Sequence, residues 1–73
     1  MIQEHDVVAL LQNEPESGLL AGDVGVVVFV HEGRAAYEVE FPDPTGTSRF
    51  SVVTLEAPAL LKLQPRSLSR AAG

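Results

Sequence analysis

Apolar positions fall into five short runs along this 73-residue chain, and the spacing within each run names its element. Val7-Val8-Ala9-Leu10 is unbroken and of strand length, so Asp6 to Leu10 reads as a strand covered on both faces. Val26-Val27-Val28-Phe29-Val30 is a second unbroken run, and it predicts a fully buried strand from about Val24 to His31. β-Branched residues dominate it, which favours a pleated strand over a helix. Apolar character on both faces has two readings. Either one long strand bends and serves both halves of a small closed barrel, or one face pairs with another subunit.

Tyr37-Glu38-Val39-Glu40-Phe41 alternates with period two. It predicts a third strand, Ala36 to Phe41, with Tyr37, Val39 and Phe41 inward and Glu38 and Glu40 toward water. A fourth strand is expected over Ser48 to Thr54, with Phe50, Val52 and Thr54 on one face. Leu60 to Leu63 makes the fifth.

The polar stretches between these runs carry turn chemistry. Gln12 to Gly18 is a loop punctuated by Pro15 and Gly18, after which Leu19 and Leu20 fold back to cover one end of the core. Gly22, Asp23 and Gly25 form a structural turn ahead of the second strand. There glycine supplies a left-handed backbone or lets another strand approach closely. Glu32-Gly33-Arg34 is a hairpin connection, and Pro42 to Thr47 is a strong turn. Glu56-Ala57-Pro58-Ala59 is too short for a helix and suits one 3-10 turn.

Short strands with turn signals every ~8–12 residues imply an all-β barrel or sandwich. Five strands, a long first loop and a 3-10 turn before the last strand match a small SH3-like barrel, in which closing the sheet removes exposed edges. Residues 1–63 form that single domain, and 64–73, small and polar without periodicity, read as a flexible C-terminal tail.

Composition narrows the function. Residues 1–61 hold ten acidic side chains against two basic ones, Arg34 and Arg49, while 62–73 hold Lys62, Arg66, Arg70 and no acid. The net charge is −5, and an acidic body repels phosphate backbones, so nucleic acid is not the expected partner. There is no cysteine, hence no disulfide or thiolate metal site, which fits a cytoplasmic location. The N-terminus lacks a basic region followed by a long apolar run, and Val26–Val30 is too short to span a membrane.

Candidate chemistry is sparse. Glu4, His5 and Asp6 are adjacent, and His31 neighbours Glu32, but two isolated histidines do not make the three or four converging ligands that zinc takes. Glu38 and Glu40 sit about 7 Å apart on one strand face, a spacing more typical of a solvated surface than of an acid–base pair. Ser48, Ser51 and Thr54 have no histidine base nearby in sequence, and no nucleophile elbow or phosphate-binding loop is present. No catalytic, metal or cofactor residue is assigned. Surface aromatics for a Pro-rich peptide groove are also lacking, since Tyr37 looks inward and there is no Trp.

Taken together, Asp6-Val7-Val8-Ala9-Leu10, Gly22-Asp23-Val24-Gly25-Val26-Val27-Val28, Tyr37 to Phe41 and Val53-Thr54-Leu55 resemble the bacterial domain of unknown function 4926 over about residues 4–63. The resemblance implies an SH3-like barrel without an assigned activity. Some relatives belong to small two-gene units, which implies a protein partner and an antitoxin-like role. Similar Gly-x-x-Gly-Val-Val turns occur in the β subunit of nitrile hydratase, in nitrogenase accessory proteins and in a photosystem I peripheral subunit, where the barrel contacts another protein; this is analogy of fold.

The expectation is a non-catalytic protein-interaction module, acting on a protein partner or as a homo-oligomer. Its interaction surface is expected at Val26, Val28, Val30 and Arg49. The alternatives are a nucleic-acid-binding barrel using Arg49 and the basic tail, and an accessory subunit completing a partner's active site.

Overall fold

A computed structural model describes residues 1–43 and 49–64 of the chain. Five antiparallel strands form one sheet: β1 (Val7–Leu10), β2 (Val24–Val30), β3 (Tyr37–Pro42), β4 (Phe50–Leu55) and β5 (Leu60–Lys62). The order across the sheet is β4-β3-β2-β1-β5, so the first strand lies beside the last. With a 3-10 turn at Ala57–Ala59 leading into β5, this is the order of a small SH3-like barrel. The Pro42–Thr47 turn and the C-terminal tail lie largely outside the described residues.

One face of the curled sheet makes the core. Val8, Leu10, Leu19, Val27, Tyr37, Val39, Phe41, Leu55 and Leu60 form one buried cluster, with Ile2, Val30 and Val53 packed against it. The alternation in β3 holds without exception, Tyr37, Val39 and Phe41 being buried. In β1 it is Val8 and Leu10 that are buried, while Val7 and Ala9 on the other face are half-covered. Leu19 caps the core as expected, held by a bridge between Glu14 and Leu19. Leu20 does not: it is 63 % exposed, because successive residues of an extended segment point opposite ways.

Gly22 and Gly25 have separate reasons to be glycine. Gly22 adopts φ +95°, and its N–H donates to Leu10 O at 2.8 Å, turning the chain back onto β1. Asp23 fixes the same turn by accepting from Leu20 N–H at 2.9 Å. Gly25 lies where β2 passes over β3: an added Cβ would sit 2.7 Å from Glu40 O and 2.8 Å from both Phe41 Cδ1 and Val39 Cγ1.

Two expectations about the sheet need correction. β2 is not fully buried: Gly25 and Val27 are, but Val24, Val26, Val28 and Phe29 are exposed. No described layer packs on the outer face of the sheet, so the apolar run is covered on one side only. Among the described residues the sheet also does not close by pairing. β4 and β5 are both edge strands, joined through the 3-10 turn rather than by a ladder.

Candidate functional site

The outer face of the sheet collects the side chains that alternation sends away from the core. Cross-strand register places Val7 beside Val26, Val26 beside Glu40, and Glu40 beside Val52. The neighbouring rows bring up Ala9 with Val24 and Leu61, and Pro42 with Phe50. The result is one apolar surface in which Val24, Val26, Val28, Phe29, Phe50, Val52 and Leu61 are all between 38 and 62 % exposed. Isolated exposed apolar residues need no explanation, but a contiguous face of them marks an interaction surface.

A β-bulge shapes this face. Val27 pairs with Val39, yet Phe29 pairs with Glu38, leaving Val28 as the extra residue. Beyond it the alternation is displaced by one position. Phe29 therefore emerges on the outer face, and Val30 turns inward against the core. The sequence grouped Val26, Val28 and Val30 as one surface. The structure exposes Val26 and Val28 together with Phe29, and removes Val30, since a bulge inverts the facing of every residue after it. Arg49 is exposed just before β4.

The acidic side chains on the face differ in their surroundings. Glu38 is held by two neighbours: His31 Nε2–H donates to its carboxylate at 2.5 Å, and the Thr54 hydroxyl donates at 2.8 Å. The His31 ring also meets Phe29 edge-on, with centroids 5.3 Å apart. The His31 hydrogen bond, followed by that from Thr54, holds the Glu38 carboxyl below its usual pKa. Glu40, half-buried among Val26 and Val52, makes no hydrogen bond or ion pair among the described residues.

Strand register creates the His31–Glu38–Thr54 cluster, bringing together residues up to 23 positions apart, which no local motif signals. It is not a nucleophile relay. The Thr54 hydroxyl donates to the carboxylate rather than to the imidazole, so the three groups are not in the hydroxyl–imidazole–carboxylate order of such a relay. Its visible consequence is on stability. A depressed carboxyl pKa contributes stability that is complete above the unfolded value of about 4.3 and is lost as pH falls through the folded value. The melting temperature should therefore hold from pH 7 to about 4.5 and decline below it, and Glu38→Gln should shallow that decline. An unchanged acid limb in the variant would remove the role assigned to this cluster.

The remaining cations serve the N-terminal segment. Lys62 pairs with Asp6 at 3.2 Å and reaches Met1 O at 3.3 Å, while Arg34 donates to Ile2 O at 2.6 Å. The Gln3 N–H, more than Lys62, keeps the Asp6 carboxyl below its usual pKa. Among the described residues no group of three or more His, Asp or Glu side chains is placed to hold a metal ion. A shallow hollow of about 370 Å³ lies between Gln12, Glu14, Thr54 and Pro58, but it is open and bordered by carboxylates.

Fold and surface together define a small all-β domain with an apolar sheet face. The chain belongs to the DUF4926 family, a domain of unknown function, whose sequence model matches residues 4–65. No curated protein and no solved structure matches it. No helix among the described residues is long and apolar enough to cross a membrane.

Proposed function

We propose that this chain is a non-catalytic protein-interaction module, a small accessory subunit that docks another protein on the outer face of its sheet. The observation that carries the reading is the contiguous exposure of Val24, Val26, Val28, Phe29, Phe50 and Val52 on that face. In a domain with a core of nine residues, so large an uncovered apolar area is costly unless a partner shields it. A cytoplasmic setting fits a chain without cysteine.

Exposed Phe29 and Phe50 also raise the nucleic-acid reading, since aromatics on a sheet can stack bases. The charges oppose it. Glu38 and Glu40 lie on the same face, and of the three Lys and Arg residues described, Arg34 and Lys62 are committed to the N-terminal segment.

A photo-crosslinking residue in place of Val26 or Phe29 tests the proposal in host cells. Adducts to one discrete protein, distinct in mass from a second copy of this chain, are expected at these two positions and not at Gln12, in the exposed loop after β1. No adduct at either position, or oligonucleotide binding at about 50 mM salt, overturns the reading.

A further inference from the structure

The two edges of the sheet are not alike. β5 is three residues long, carries Lys62, and ends in a bond from Leu63 N–H to Val7 O at 2.8 Å. It is short and charged, as protected edges are. β4 has none of these defences. It runs six residues, Phe50-Ser51-Val52-Val53-Thr54-Leu55, with no charge and no proline. Its register with β3 is unbroken from Tyr37–Leu55 to Pro42–Phe50, so no bulge twists it away. Among the described residues no segment pairs with its free edge. Such a strand is a template for another strand.

We propose that β4 pairs with β4 of a second copy, antiparallel and centred on Val52, making a two-fold dimer with one continuous ten-stranded sheet. Charge selects the direction. Arg49 and Glu56 flank β4 at its two ends, both exposed and neither in an ion pair among the described residues. Antiparallel pairing sets the Arg49 end of each β4 beside the Glu56 end of the other, twice over, although alternation sends these two side chains to opposite faces. Parallel pairing would set like charges together.

Facing selects the register. A two-fold axis normal to the sheet keeps outer side chains opposite outer side chains. Val52 then meets its own counterpart, and Phe50 meets the second copy's Thr54. The partly buried Glu40 of each copy is three strand spacings from the other, about 14 Å, beyond the ~8–10 Å over which salt leaves charges unscreened. The net charge of −5 therefore does not forbid the dimer. Pairing uses the backbone edge of β4, whereas a docked protein covers the outer-face side chains, Phe50 and Val52 among them; sedimentation of the pure chain tests the first and crosslinking at Val26 or Phe29 the second, so either can fail alone.

Sedimentation of the full chain from about 1 to about 200 µM tests the dimer. A concentration-dependent dimer is expected for the wild type. Val52→Lys and Val52→Glu, each placing like charges opposite one another, should weaken it by roughly tenfold or more. Val52 is 54 % exposed, so neither change removes core packing, and circular dichroism checks that both variants fold. Mixing the two variants should restore a dimer, now of opposite charges. As an independent readout, Val52→Cys treated with oxidised glutathione should give a disulfide-linked dimer, and Val26→Cys should not. A wild type that stays monomeric throughout, a Val52→Lys variant that dimerises like the wild type, or a mixture that remains monomeric overturns the proposal.

Discussion

Replacing Gly25 with alanine should remove most of the domain's stability, seen as a large fall in the urea midpoint and melting temperature followed by circular dichroism. The reason is local and steric. The new methyl would lie 2.7 Å from the Glu40 carbonyl oxygen, where β3 backbone runs, and 2.8 Å from the side chains of Val39 and Phe41. A flexible side chain can swing aside, but a strand paired on both edges cannot. β3 is bonded to β2 on one side and β4 on the other, so moving Glu40 strains both ladders. Overpacking of this kind costs typically about 1–3 kcal/mol, and more where fixed backbone is the neighbour. A single-core domain below about 70–80 residues has only about 3–5 kcal/mol of stability in total. Gly22 provides the contrast. It has open space around it but φ +95°, so alanine there meets conformational strain rather than a clash and should cost less than at Gly25. A Gly25→Ala variant as stable as the wild type would mean that β2 and β3 do not approach as described.

Phe41→Ala should be comparably severe for the opposite reason. Phe41 is the largest of the fully buried side chains, 1 % exposed, and lies on β3 in the middle of the sheet order. Truncating a buried phenylalanine costs about 3–5 kcal/mol, from lost transfer energy and the cavity left behind. With so few core residues, there is little else to close around the void. Phe50→Ala is the matching control: it removes the same atoms from a position 62 % exposed, and should change the urea midpoint little. Equal loss at both positions would contradict the assignment of inner and outer faces.

Those faces were legible in the sequence to different degrees. β3 declared itself because glutamate at 38 and 40 interrupts the apolar residues with period two. The 3-10 turn at Ala57–Ala59 was equally plain, since Pro58 leaves few options in four residues. β2 was harder. An unbroken apolar run carries no phase, so it could not show which residues face solvent, and the bulge at Val28 shifts the pattern part-way along. For that reason Val30 is partly buried against the core while its neighbour Phe29 is exposed. The cluster of His31, Glu38 and Thr54 was invisible because it depends on the registers of two strand pairs, not on spacing within one element. The open edges were missed because a list of strands predicts a sheet order without saying whether its ends meet.

The single extra residue in β2 thus decides which aromatic the solvent sees. Were Val28 paired in regular alternation instead of bulged, the two-residue rhythm would run on uninterrupted, sending Phe29 into an interior sized for a valine and stranding Val30 outside. Length variation on either side of this half-step is accordingly not equivalent. An insertion in the Gln12–Gly18 loop leaves every inward-facing residue inward, whereas losing one residue at Val28 abolishes the bulge itself.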